Sequence, residues 1–489
     1  MSNIEVSRHA LATALKSVGV HGLSDSDEES NDSSVSSDSD PHGFIRARKS
    51  VTESVTESVD GHNPRKRRKR KGGWKKRTKL PYKSSLFYRD YHDPRVKVSG
   101  TPEAKEFRCN YRMPWIRAHY YVELFVRNNW VFNERQNKKL FPGMVVCDGV
   151  CPPEIKILGT LYWLGEGCTF RTIYNLSGRV LSRQTFTKFA KKFCRIMRKH
   201  LAPEWIKVPA DVRELYEVSK PYENKGFPGA CGSTDGVQIA WEGCPFSYRH
   251  SFTGKEKIPT IGFNVTVAHD MRIMNVCSMF AGRFNDKTKI LYDSYVQKLR
   301  GDFYDGFRYQ TKNSRGEETT KSKPYLICDN GYHRWVQLMC PYKTTSQAHL
   351  AVWSKRLESV RKDVERTFGV LKKRFRILKL PLMFREASLI EDIFITCCVL
   401  HNMLLHHDRQ FADGRFTRGI SPTLSRRERR TVLINNVTRL LEAHDDFSHM
   451  QHEMMDEDTV VQVDQTFEAM RQGLAHHTYY LYLTNQLIY

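Results

Sequence analysis

The sequence predicts an α/β fold: a mixed sheet flanked by helices, preceded by a helical region and by a polar N-terminal tail. Three observations carry that reading. Between Pro228 and Asp329 the apolar runs are short and bounded by turn residues, as in ACGSTDGVQIAW, IGFNVTVAHD, RIMNVCSMFAG and KPYLICD, which is the signature of strands. Further on, Leu350, Trp353, Leu357, Val360, Val364, Phe368, Leu371 and Phe375 recur at alternating steps of three and four, the period of a long helix with one buried stripe. After Pro381 a second and more apolar helix, IEDIFITCCVLHNMLL, is expected to cover the sheet.

Composition bounds the function. A chain of 489 residues with 40% apolar residues can build a large core, and a net charge of +24 points to a polyanion as partner, nucleic acid before membrane. The longest apolar run, Phe394 to Leu400, is broken by Thr396 and falls short of a bilayer span, so the chain reads as soluble and intracellular, with no membrane partner. Twelve cysteines follow no disulfide rhythm, and Cys277, Cys328, Cys397 and Cys398 lie inside apolar runs as reduced core thiols. Cys147 and Cys151 lack two further ligands at zinc spacing.

In chain order, residues 1–80 read as a disordered tail. LSDSDEESNDSSVSSDSD, from Leu23 to Asp40, is too polar to offset its ordering entropy. From Arg65 to Lys79 the charge reverses, with eleven basic residues around Trp74, a nuclear import signal or a phosphate-binding arm. Residues 81–220 read as a helical DNA-binding region. One helix opens at Pro152 and Pro153 and closes at Gly165 and Gly167; a short second one runs from Thr169 to Leu176; a third begins at Ser182 as N-cap and runs to His200. Helix, tight turn and helix, with Arg183, Gln184, Thr187, Lys188 and Lys191 on the outer face, is the pattern of a helix-turn-helix reader, and equally of a helical bundle with a solvated basic face.

Residues 221–410 carry the candidate chemistry. Asp235 falls near the middle of the first strand, between Gly232 and Gly236. Asp329 ends KPYLICD, and Glu365 lies one residue past Val364 at the edge of the long helix's buried stripe. Two acids on strands and one on a later helix, around a sheet of this kind, give a layout of the ribonuclease H type. Phosphoryl transfer between oxygens needs an activated nucleophile and a stabilised leaving oxygen, which two divalent cations held by carboxylates supply. Taken singly, Asp235 reads as a structural acid and Glu365 as a solvated partner of arginines one turn away. Asp286, in GRFNDKTKIL, reads as the cap of a helix beginning at Lys287. Lys255 and Lys257 are phosphate contacts or an ordinary solvated loop; Lys372 and Arg376 belong to the basic set around Glu365. Gly301 to Ser322 reads as a surface insertion, and 411–489 as a polar C-terminal tail with a helix near Val432 to His444.

GSTDGVQIAW, ICDNGYH, VERTFGVLKKRFRIL and, downstream, CCVLHN resemble the DDE transposases of the PIF/Harbinger superfamily, over about residues 150 to 405. The resemblance implies that Asp235, Asp329 and Glu365 form a triad binding Mg²⁺ (or Mn²⁺), two ions in all, with Asp286 a fourth candidate that some descriptions of the triad prefer. It implies hydrolysis at element ends of double-stranded DNA, then attack of the freed 3′-hydroxyl on a short T/A-rich target. It also implies a nuclear location, a homo-oligomer acting on paired ends, and often a separate Myb-like protein. Two departures stand out: Gln238 replaces a common His, and the 301–322 insertion lengthens the gap between the first two acids. The competing class is a domesticated, non-catalytic DNA-binding protein retaining the fold.

Overall fold

The computed structural model describes residues 81–131, 151–412, 457–484 and 486. The tail expected over 1–80, its basic run, Cys147 and the helix expected near 432–444 lie outside the described residues.

Helices α1 (Leu86–His92), α2 (Pro102–Tyr111) and α3 (Trp115–Arg127) precede α4 (Pro153–Glu166), α5 (Phe170–Leu176), α6 (Arg183–Ile196) and α7 (Val212–Glu223). Local chemistry sets their ends. Proline occupies the first turn of α4, and Gly167 closes it with φ +63°, a conformation that costs glycine little. Thr169 and Ser182 cap α5 and α6 by accepting the N–H groups of Thr172 and Thr185. The third expected helix continues past Ile196 through a π turn, Met197–Leu201, into Ala202–Trp205. Phe186, Phe189 and Phe193 on the inner face of α6 join Phe87, Tyr111 and Leu158 and also strand and core-helix residues such as Phe263 and Phe394, so the helical region and the sheet share one apolar core.

The strands are β1 (Ala230–Ala240), β2 (Thr260–Val267), β3 (Ile273–Val276), β4 (Phe280–Ala281), β5 (Tyr309–Lys312), β6 (Glu318–Lys321), β7 (Tyr325–Ile327) and β8 (Leu338–Met339). The main sheet runs β3-β2-β1-β7-β8, with β4 also on β2. β1, β2 and β3 pair antiparallel, whereas β7 and β8 continue parallel to β1. Every residue of β2 is buried, so both faces of the sheet are covered. The segment expected as a polar insertion contains the separate β5-β6 ribbon, and its Phe307 and Tyr309 are buried in a second core with Tyr325 and Trp353.

Between and after the strands come α8 (Phe246–Phe252), α9 (Asp286–Ile290), α10 (Ser294–Arg300), α11 (Ala348–Arg374), α12 (Ala387–Ala412) and α13 (Glu457–Leu483). The periodic residues of α11 are buried as expected except Phe368, which is half-buried and packs on the first core. α12 contains a 23-residue stretch, Ala387–Arg409, long and apolar enough to cross a bilayer, a point the search for an unbroken apolar run missed. Most of it is buried within the protein: Phe394 stacks on Phe263 at 4.2 Å between ring centroids, and Cys397 and Cys398 are fully enclosed. The polar tail expected after 410 is, over Glu457–Leu483, a helix lying on α11, with Phe467, Leu474 and Ala475 buried in the second core.

Two residues of CCVLHN hold α12 to the edge of the sheet. The Asn402 side chain accepts the Ile273 N–H (2.9 Å) and donates to the Ile273 carbonyl (2.7 Å) and to that of Trp205 (2.8 Å). It replaces the strand that edge-strand β3 lacks on that side. His401 is buried between the Met271 carbonyl and the Arg374 guanidinium, and burial pushes its pKa down to about 4, which fits a structural group. Asn402→Ala leaves three buried main-chain groups unpaired and is expected to cost roughly 3 kcal/mol, read as a lower midpoint in urea denaturation with an unchanged slope.

Candidate functional site

The central strand determines where the first acid points. Alternation along β1 buries Val237 and Ile239 in the core shared with α12 and puts Asp235 on that same face. β7 runs parallel to β1 with Ile327 opposite Ser233, so two residues further along both chains Asp235 and Asp329 stand level. Asp329 lies just beyond the last ladder residue of β7, and its carboxylate accepts the Gly331 N–H at 2.8 Å. Asp235 accepts the N–H of Gly236 at 2.8 Å. A Cβ on Gly236 would stand 2.5 Å from the Asp286 carboxylate, so glycine there lets the third acid approach the strand.

Asp286 is not the cap of α9. Asn285 takes that role by accepting the Thr288 N–H, and the Asp286 carboxylate pairs instead with the buried Lys289 ammonium at 3.0 Å. Glu365 is exposed on α11 and reaches the strand acids through Arg361, one turn earlier. The Arg361 guanidinium, 14% exposed, stands 2.8 Å from Glu365, 3.4 Å from Glu358 and 3.6 Å from Asp235. The ordinary i,i+4 ion pair expected for a helical glutamate and the gathering of acids are thus one arrangement.

Burial pushes the Asp235 carboxyl up to about 6; the Gly236 N–H and Arg361 oppose this, while the charges of Asp329 and Asp286 add to it. Burial works against the Arg361 charge, but Glu358, Glu365, Asp235 and Asp329 together raise its pKa. Asp363, two residues before Glu365, faces elsewhere: it is buried, with His269 Nδ1 2.5 Å from its carboxylate. The donor set around Asp235 is all carboxylate oxygen, the chemistry of a hard divalent cation, and a guanidinium serves as its cationic partner. Among the described residues no three Asp, Glu, His or Cys side chains converge closely enough to hold a metal ion as they stand.

The basic residues divide. Lys255 and Lys372 line a groove of about 320 Å³ beside Gly236 and Gln238, and Lys372 Nζ stands 3.4 Å from the Gln238 carbonyl. Lys257 occupies an exposed turn with φ +58°, and Arg376 is exposed just past α11. Arg183, Gln184 and Lys188 are exposed on α6, outside that groove; the Thr187 hydroxyl donates to the Arg183 carbonyl, and Lys191 pairs with Glu386 at 2.8 Å. Sequence reasoning gave Glu365 arginine partners one turn away without singling out Arg361. The signal that singles it out is its i,i+4 spacing to that acid.

One acid thus stands in the middle of β1 and one just past β7, its parallel neighbour, under a basic helix. Residues 204–412 match the family of plant transposon proteins. The chain is 24% identical over 256 residues to Protein ALP1-like of Arabidopsis thaliana, covering 52% of this chain and 60% of that one. It is 23% identical over 221 residues to the Arabidopsis thaliana protein antagonist of like heterochromatin protein 1, covering 42% and 54%. The chain therefore spans less than two thirds of the length of these relatives. No solved structure matches it. These similarities support a transposase-derived family.

The raised pKa of Asp235 has a sign that can be tested. A carboxyl whose pKa is higher folded than unfolded costs stability once ionised, so its penalty is absent below the unfolded value and complete above the folded one, near 6. Asp235→Asn is therefore expected to raise the melting temperature relative to wild type, with the gap opening between about pH 4 and 7, as followed by thermal melts across that range.

Proposed function

We propose that this chain is a DNA transposase or endonuclease of the DDE type with a ribonuclease H-like core. The observation that carries the reading is the parallel β1-β7 register, which sets Asp235 beside Asp329 while α11 brings Glu365 to them through Arg361. The sheet order, three antiparallel strands followed by two parallel ones on the other side of β1, supports a ribonuclease H-like core. The match to plant transposon proteins supports a transposase-related nuclease or a domesticated derivative of one.

Asp235, Asp329 and Glu365 are the residues that would hold Mg²⁺ or Mn²⁺, with Asp286 as a further donor. Two bound cations would supply the charge that activates a water or 3′-hydroxyl and steadies the leaving oxygen. The chain's own part is to hold Asp235 in the middle of β1 and Asp329 just past the end of β7, where their positions vary little, and to bring in Glu365 from a helix to orient the nucleophile. Arg361 offsets the mutual repulsion of the acids until they are engaged. The substrate is double-stranded DNA, cleaved at element ends and joined to a T/A-rich target. A homo-oligomer working on paired ends in the nucleus, assisted by a Myb-like protein, completes the reading.

A second reading, a domesticated DNA-binding protein without turnover, is favoured by one observation: Arg361 already satisfies Asp235 and Glu365, as a retained fold without a metal requirement would allow. The name of one relative, an antagonist of a heterochromatin protein, is in keeping with a chromatin role. Strand nicking in Mg²⁺ by wild type and by Asp329→Asn separates the two. On the nuclease reading wild type nicks DNA carrying the element end, while the variant loses at least ~100-fold in rate and keeps DNA binding. Equal cleavage by both would remove Asp329 from the site and bring Asp286 forward; binding without cleavage by either would favour the domesticated protein.

A further inference from the structure

The central strand has an open side. β7 pairs with β1 only from Ala230 to Ser233, whereas β2 follows β1 as far as Ala240. Among the described residues the edge of β1 away from β2 has no strand partner beyond Ser233, until the Leu382 N–H donates to the Ala240 carbonyl at 2.9 Å, and a groove of about 320 Å³ runs there from Gly236, next to Asp235, toward Ala240. Its walls are unlike an ordinary solvated edge. On one side Phe368 from α11 is half-buried: it packs on the first core and also lines the groove. Lys372, one turn on, is partly desolvated with its ammonium near the Gln238 carbonyl, and burial lowers its pKa. Opposite, the Gln238 side chain lies over Gly262 and accepts the Thr260 hydroxyl at 3.0 Å, leaving its amide N–H groups for a further acceptor. Lys255 and the Glu256 carboxylate both line the groove, Glu256 near enough to act on the Lys372 charge.

An aromatic face, a carboxamide and two ammonium groups around a space of nucleotide size fit one ligand chemistry: a base with its phosphate. We infer that this groove is a subsite for a single nucleotide of DNA taken out of the base stack beside the scissile phosphate. Its base stacks on Phe368 and is met by Gln238, and its phosphate lies between Lys372 and Lys255. This rests on the proposed nuclease reading only for the word scissile. Phe368 is three residues from Glu365 and Gly236 adjoins Asp235, so the groove shares residues or neighbours with both elements of the acid cluster. A paired base keeps its faces covered by its neighbours and cannot make this contact, so the subsite selects single-stranded tails or bases flipped from a duplex.

The test uses the full chain without added divalent metal and two probes: a duplex with a single-stranded tail carrying 2-aminopurine at successive positions, and the same label inside a fully paired duplex. The expected result is a fluorescence change confined to one or two positions. Phe368→Leu, which keeps the apolar contact with the core, is expected to abolish that change and weaken tail binding roughly fivefold or more. Phe368→Tyr should restore it, and the affinity for the unlabelled duplex should stay as in wild type. A position-specific signal in the tail alone assigns a single-stranded source; one in the paired duplex assigns a flipped base. An unchanged signal in Phe368→Leu, with a wild-type melting curve, would overturn the subsite, as would loss of duplex binding when the paired duplex gives no localised signal. Because no cleavage is read, a protein that shows the localised signal yet never nicks DNA keeps the subsite and loses only the nuclease reading.

Discussion

Arg361 carries the arrangement of this site. Asp235, Asp286 and Asp329 come near one another in a partly desolvated place; burial is the main cause of the rise in the Asp235 pKa, and the two neighbouring charges add to it. A guanidinium can face several carboxylates at once because its donors fan out in a plane. From α11 it spans Asp235 on the strand and Glu358 and Glu365 on its own helix. The contact also sets which face of α11 lies over β1: with Val364 and Leu371 buried beneath, Arg361 and Glu365 stand at the margin where apolar packing gives way to the acids.

Much of this was legible beforehand, for identifiable reasons. The period of three and four located α11, and the short apolar runs located β1, β2, β3 and β7, because each pattern reflects one dominant constraint, burial of one face or of both. The cap at Ser182 was readable because it depends on a hydroxyl a few residues from the group it serves. What failed depended on partners distant in the chain. Asp286 looked like a cap until Asn285 proved better placed, and Phe368, which does pack on the first core, keeps one side on the groove beside β1. The 301–322 segment looked solvent-borne because its polar residues outnumber the few aromatics that anchor it. At the site, the motif residues were legible singly, whereas the levelling of Asp235 with Asp329 needed the parallel register.

The helical region is tied to the rest by more than sequence adjacency. α6 lies on α12, and Lys191 and Arg195 reach Glu386 while Arg198 reaches Glu391 and Asp392. Glu391 and Asp392 are buried, and burial raises both their pKa values despite that arginine. The exposed residues Arg183, Gln184 and Lys188 are thus carried on a helix whose opposite face belongs to the same core as the strands. Whatever they touch is held at a fixed offset from the carboxylates, as a reader coupled to a cutting site would require.

α13 gives the chain an order of assembly. It lies against the first half of α11: Tyr342 donates to Glu468, the Arg471 guanidinium rests 3.4 Å over the Tyr342 ring, and Thr478 bonds the Gly226 carbonyl. Trp353 and Leu357 complete their burial in that second core only when Phe467 and Leu474 arrive. During synthesis the strands and α12 emerge long before those residues do. The half of α11 that leads into Arg361 and Glu365 is therefore covered by residues far along the chain, and the site depends on a contact that local sequence cannot supply.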